Sequence, residues 1–337
     1  MPSSQSTPPN YSRRIKWLGI FVAVIAALYS ALWFWGAAKA KEELGKALAD
    51  SARSGQTADC SNLDIKGFPF RVGVFCDHIT FSDPGQNISA SLGALRSAAQ
   101  IYNPMQGIVE LDGPLELSLP GGNKIKADWS LLHASARVST PLPKRSSIEI
   151  RDISVSLPSK SDTPVFKSAN IQAHFRTEGN NIGLAASTLD MQIDPALTQG
   201  RIIPPFNVDA DIEIKDGVAL AISGKRNLVE LLRGQSGTLR TIGLNFSAGG
   251  GFKLSGPVAL DQNGLLSADL AITFSEANKL GATIEKIAPE LAAYIAPSLS
   301  LAASTAKPGE DPKIEVTIRN GKASIGIIPL GQIPALN

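Results

Sequence analysis

The chain has 337 residues, 43% of them apolar, with 32 basic against 30 acidic side chains. The apolar content is enough for a core and excludes wholesale disorder; the near-neutral balance excludes a dedicated nucleic-acid binder, which would carry a basic face. Two Cys and three His leave little material for a metal site, and no cofactor is expected.

The elements follow in chain order. Residues 1–16 form a short tail containing Arg13, Arg14 and Lys16. Residues 17–38 carry no charge, and 22 residues are enough to span a hydrocarbon layer of about 30 Å as a helix. A buried core helix is the competing explanation, but an all-round apolar run beside three basic residues fits membrane insertion better. Trp17 at one end and Trp33, Phe34 and Trp35 at the other suit the two interfaces. After the run, Lys39, Lys41 and Lys46 are offset by Glu42 and Glu43, so the positive-inside rule keeps the tail cytoplasmic and exports the rest. Ala38-Lys39-Ala40 has the form of a cleavage site, yet the run is long and aromatic for a signal-peptide core, which favours an uncleaved anchor. Residues 39–54, with Leu44 and Leu48 spaced i,i+4, read as a helical stalk ended by Gly55.

Residues 55–337 read as an exported β-rich domain. Cys60 and Cys76 are its only cysteines, and in an oxidising compartment the pair is expected to form a disulfide. A catalytic thiol is the weaker alternative: there is no C-x-x-C and no His obviously placed to activate either sulfur. Gly67 and Pro69 predict a hairpin, and a turn centred on Phe68 puts Cys60 opposite Cys76. Leu63 and Ile65 then differ in parity from Phe70, Val72 and Val74, which predicts a one-residue bulge.

Beyond the hairpin, period-2 alternation dominates. Val109, Leu111, Leu115, Leu117 and Leu119 share one parity; Val208, Ala210, Ile212 and Ile214 alternate with charged residues; Leu266 to Phe274 continue the pattern. Such strands have one buried and one wet face, which implies antiparallel sheet. Asn227 to Arg233 suggest two helical turns, and Leu280, Ile284, Ile287, Leu291 and Tyr294 mark one apolar helix face, with Ser275 as its cap and Pro289 dividing it. Residues 303–313 read as a loop. Asn320-Gly321 between Ile314–Ile318 and Ala323–Ile327 predicts a hairpin with a type I′ turn. Glu110-Leu-Asp-Gly-Pro-Leu-Glu-Leu117 is similar to Lys253-Leu-Ser-Gly-Pro-Val-Ala-Leu260, and Ala127-Asp128 to Ala268-Asp269, at offsets of 143 and 141 residues. Two landmarks in order suggest repeat units 55–200 and 201–337, against chance similarity of short strand–turn patterns.

The fold expected is therefore mainly β: a transmembrane helix, then an elongated antiparallel sheet, curled or forming an open groove, with a few short helices. No catalytic constellation is evident. His78, His133 and His174 lack ligand companions at close spacing, and no nucleophile elbow, zinc-protease or phosphate-loop motif is present.

The anchor, the Cys60/Cys76 pair, Gly67-Phe-Pro-Phe-Arg71, Tyr102-Asn-Pro104 and Asn320-Gly-Lys-Ala-Ser-Ile-Gly326, in that order, resemble the bacterial domain-of-unknown-function family two-one-two-five, found in alphaproteobacteria. The resemblance runs from about residue 15 to the end and implies an inner-membrane protein with its bulk in the periplasm; it carries over no catalytic residues. More distantly, an anchored envelope protein of long strands looks like the AsmA-like groove-forming proteins, an analogy at the level of fold.

Two functions compete. In the first, an apolar groove lined by Val109, Leu111, Leu115, Leu117, Ile212 and Ile214 handles lipid or another hydrophobic ligand. In the second, the protein is a structural or assembly component of the envelope whose sheets close on each other and whose surface meets a protein partner. An enzyme is the least favoured class.

Overall fold

The computed structural model describes residues 11–53, 55–159, 161–224, 227–305 and 311–336. Helix α1 (Tyr11–Arg53) is continuous through the apolar run and the charged segment that follows it. It contains the one stretch among the described residues that is long and apolar enough to cross a membrane. Its polar end is braced by Lys39 and Lys46, each paired to both Glu42 and Glu43 one turn away.

The chain then traverses back and forth in long strands. The first five traverses are each broken near the middle: β1 (Thr57–Ser61) with β2 (Asp64–Lys66), β3 (Arg71–Cys76) with β4 (His78–Asp83), β5 (Ile88–Leu92) with β6 (Leu95–Gln100), β7 (Asn103–Leu111) with β8 (Leu115–Leu119), and β9 (Asn123–Asp128) with β10 (Leu131–Arg137). Two long strands follow, β11 (Arg145–Leu157) and β12 (Ser161–Glu178), then β13 (Asn181–Leu189) and β14 (Gln192–Ile193). The remainder comprises β15 (Phe206–Ile214), α2 (Gly217–Ala221), α3 (Leu228–Leu232), β16 (Ser236–Phe246), β17 (Gly251–Leu260), β18 (Leu266–Ser275), α4 (Ala277–Ile287), α5 (Pro289–Thr305), β19 (Lys313–Arg319), β20 (Lys322–Ile325) and β21 (Ile328–Gln332). All these strands form one sheet, antiparallel at every pairing.

The breaks line up as a crease. On one side the order is β2-β3-β6-β7-β10; on the other it is β1-β4-β5-β8-β9. Both arms join on β11, whose first half pairs with β10 and whose second half pairs with β9. Asn62, Asp152 and Asp190 take left-handed backbone here, at φ 55°, 52° and 51°. Gly93, Gly113 and Trp129 sit in successive traverses: a Cβ on Gly93 would meet the Asp112 carbonyl at 2.6 Å, and one on Gly113 would meet Asp128 Oδ1 at 2.5 Å. Side chains satisfy backbone groups freed by the break, with Trp129 Nε1 donating to the Leu111 carbonyl at 2.8 Å. The run 109–119 is thus two strands rather than one, because Asp112-Gly113-Pro114 leaves the ladder.

The landmarks Gly113-Pro114 and Gly256-Pro257 occupy equivalent points. Leu115 pairs with Ala127, and Val258 pairs with Ala268. Gly256 also approaches the next strand closely, since a Cβ there would meet the Asp269 carbonyl at 1.9 Å.

The disulfide Cys60–Cys76 is formed, with Cα atoms 5.4 Å apart. Its register differs from the one expected. Cys60 faces Ile79, while Ile65 faces Val74, so the turn centres between Pro69 and Phe70 rather than on Phe68. Odd residues then pair with even ones, and Ile65 and Val74 share a face without a bulge. The disulfide spans the crease diagonally instead of joining an opposed pair.

Helices α4 and α5 divide at Pro289, as its missing N–H requires. They cover the apolar face of β18 and β19, where Leu280 and Ala302 pack against Phe274, Ile314 and Val316 in the buried core. Ser275 is the last residue of β18 rather than a cap; Glu276 precedes α4 in left-handed conformation at φ 46°. Asn227 caps α3 through Oδ1 to the Val229 amide, 2.9 Å. The loop expected at 303–313 starts later, since α5 runs to Thr305, and residues 306–310 lie outside the described part. Asn320 and Gly321 both have positive φ, 47° and 80°, as a type I′ turn requires.

A candidate apolar groove

Because side chains alternate along every strand, antiparallel register turns a repeated parity into rows across the sheet. One row runs Val109, Ala134, Ile148, Ala173, Ala186, Ala210, Ile242, Leu254, Ile272, Ile314 over ten strands, with each residue opposite the next. The row of opposite parity beside it runs Glu110, His133, Glu149, Gln172, Ser187, Asp209, Gly243, Lys253, Thr273, Lys313. The sheet therefore has one apolar and one polar face throughout this span.

At the β18–β19 end the apolar face is buried under α4 and α5. From β7 to β15 the same face lines an open cavity of about 770 Å³. This is within the range of small-molecule sites. The floor is made of small residues, Gly107, Ala134, Ala136, Ala173, Ala186 and Ala210, while Val109, Val138, Ile148, Phe175, Leu184 and Ile212 form the bulkier lining. His174 is the one ionisable residue among the described lining residues.

Of the six residues expected to line a groove, the structure brings two together: Val109 and Ile212 lie on the outermost strands of the cavity, β7 and β15. Leu111 is one step further along β7, opposite Leu95 and Leu132. Leu115 and Leu117 are on β8, beyond the crease, where Leu117 faces Ala90 and Ile125. Ile214 is opposite Ile182 and Gly237, outside the cavity lining. The alanine floor is the part that strand-by-strand reading misses. Its signal is faint: Ala134 and Ala136 share one parity, as do Ala186 and Ala210 through their pairing.

Charge is concentrated on the polar face. Arg96 makes a two-pronged contact with Asp112, at 2.7 Å and 2.6 Å. These hydrogen bonds raise the Arg96 guanidinium pKa and hold the Asp112 carboxyl below its usual range. Glu213 is likewise lowered, first by the Asn181 amide at 2.7 Å and then by Arg240 at 2.5 Å. Among the described residues, no group of three His, Cys, Asp or Glu side chains is placed to hold a metal ion.

A family model described as an uncharacterized protein conserved in bacteria (DUF2125) matches residues 33–334. No curated protein matches the chain.

Proposed function

Since the chain belongs to this bacterial family, whose description names no activity, we propose from the geometry that it is a membrane-anchored envelope protein whose open sheet face holds lipid acyl chains. Residues 17–38 anchor it in the inner membrane, the tail stays cytoplasmic, and the sheet lies in the periplasm. The charge asymmetry about the anchor supports this orientation, and the disulfide suits an oxidising compartment. The reading assigns the protein no catalysis, no cofactor and no nucleic-acid partner.

One observation carries the proposal: the same apolar face is closed by α4 and α5 at β18–β19 and left open over β7–β15. A contiguous apolar surface facing water is unfavourable by roughly 25 cal/mol per Å², so a ligand that covers it gains that energy. A lipid is the most available apolar ligand beside a bilayer, and each methylene buried contributes about 0.8 kcal/mol. The test is native mass spectrometry with lipid extraction on the purified full-length chain. Lipid retained in stoichiometric amount supports the proposal. Full-length protein free of lipid, with its groove sealed by a co-purifying envelope protein, would favour the structural role instead.

A further inference from the structure

The end of the sheet next to α1 has a second apolar feature, distinct from the groove floor. The β2–β3 turn reaches back along the helix: Phe68 stacks on Phe34 at 5.2 Å and meets Trp33 edge-on at 5.6 Å. Trp33 Nε1 donates to the Arg71 carbonyl at 3.1 Å, and the Tyr29 hydroxyl donates to the Pro69 carbonyl. Further out, Lys41 pairs with Asp64 at 3.4 Å, which marks the wet level. At 1.5 Å per residue, Phe34 and Tyr29 lie about 6 and 14 Å inside the end of the apolar run at Ala38. If residues 17–38 cross the bilayer, the Phe68–Phe70 turn is held within the exported-side leaflet.

Neighbouring turns continue this rim. The Ile101 amide donates to Phe70, at 3.0 Å, and the Val138 amide to Met105, at 2.7 Å. Phe70 is 65% exposed, Tyr102 73%, Met105 54% and Val138 53%, so four bare apolar side chains stand at the turns and strand ends of this rim. Just above them on the polar face, Arg137 lies opposite Arg145, and Arg145 opposite Arg176. Like charges directly opposed destabilise a sheet unless an anion sits between them. Arg176 has Glu178 at 3.1 Å, but Arg137, Arg145 and the adjoining Lys144 have no carboxylate partner among the described residues. Apolar tips below a basic row are the arrangement that meets acyl chains and phosphate headgroups together. Pro104 and Val138, at this rim, also line the groove.

We infer that the rim is a second membrane contact, set into the exported-side leaflet, so that the groove opens into lipid rather than into water. The inference rests on the proposed acyl-chain groove but is tested separately from it. The full-length chain is placed in nanodiscs of zwitterionic and anionic phospholipid, with a fluorophore on Tyr102→Cys or Met105→Cys. Lys124→Cys, at the far end of the β9–β10 traverse and about 40 Å from Arg137, is the control. Lipids carrying an acyl-chain quencher should quench positions 102 and 105 about threefold or more above position 124. Arg137→Glu with Arg145→Glu should reduce that difference by about half or more. Equal quenching at 102, 105 and 124 overturns the inference. Shielding of position 102 from both lipid quencher and aqueous iodide overturns it too, because a protein then covers the rim. Native mass spectrometry of the purified full-length chain outside the nanodisc reads the groove independently: lipid retained there without rim quenching refutes the rim alone, and rim quenching without retained lipid refutes the groove alone.

Discussion

Ala173→Asp tests the groove with the smallest change of shape. Ala173 is in the middle of the floor, opposite Ile148 on one side and Ala186 on the other. His174, the one ionisable lining residue described, is the next residue in the strand and so of opposite parity. In the empty groove the new carboxylate stays hydrated, and folding stability should change by less than about 1 kcal/mol. An acyl chain laid over it excludes water, so the carboxylate must bind a proton or go unsolvated. Protonation sets the ceiling on the cost. From an ordinary Asp pKa of about 3.9 to pH 7, at 1.36 kcal/mol per unit, it is about 4 kcal/mol, or roughly a thousandfold in affinity. The proton is taken up on binding, so affinity should recover about tenfold for each unit the pH falls from 7 to 5. Ala173→Asn has nearly the same shape and no proton to gain, so its loss should not vary with pH. The assay is displacement of a fluorescent acyl probe from the full-length chain in amphipathic polymer between pH 5 and 8. Wild-type affinity for Ala173→Asp at pH 7, or equal and pH-independent losses for Asp and Asn, would refute the acyl-chain groove.

Three further outcomes are expected. Replacing Cys60 and Cys76 with Ser should lower stability by roughly 2–4 kcal/mol in denaturant titrations of the full-length chain, since a loop of about 15 residues is released; an unchanged midpoint would mean the bond adds nothing. Gly256→Ala should cost about 3 kcal/mol or more, because φ is 143° and the new methyl meets the Asp269 carbonyl, whereas Gly179→Ala, at φ 59° but with open space around it, should cost only the left-handed strain of about 1–2 kcal/mol; equal midpoint shifts would contradict this. The half-exposed Arg96–Asp112 pair should contribute at most about 1 kcal/mol. Because the Asp112 pKa is depressed in the fold, that contribution is complete above the ordinary Asp pKa of about 3.9 and is lost as pH falls through the folded value, so Asp112→Asn should be destabilised near pH 6 and the difference should narrow as pH falls below about 4.

Where one residue type has one local consequence, the fold is legible in the sequence. Asn320-Gly321 could take two left-handed positions, Pro289 had to end a helix, and the alternation in 208–214 had to be a strand with two unlike faces. The crease was not legible. It depends on Asp152 and Asp190 taking left-handed backbone and on Gly93 and Gly113 lying against neighbouring strands, and those are consequences of pairing. The Cys60 register failed for the same reason, since a turn shifted by little more than one residue changes every partner. The groove was half legible. Val109 and Ile212 stand out by hydropathy, but the floor between them is alanine, whose small apolar area gives little signal. Only the register shows that Ala134, Ala173, Ala186 and Ala210 fall in one row. That α4 and α5 would cover β18–β19 and stop there could not be read from their amphipathic pattern.

The meander makes this sheet extensible. From β16 to β19 each strand pairs only with the strands before and after it in the chain, and the β12–β13 turn is closed by Glu178 opposite Asn181 across a two-residue tip. An inserted hairpin would therefore add two strands, about 10 Å of sheet at 4.8 Å spacing, without changing any other pairing. Lengthening the sheet in this way needs no new chemistry, only another pass of alternating residues. The span between Val109 and Ile212 is set by counting strands, so the reach of the open face can change in discrete steps while helix α1 at one end and the helical cover at the other stay as they are.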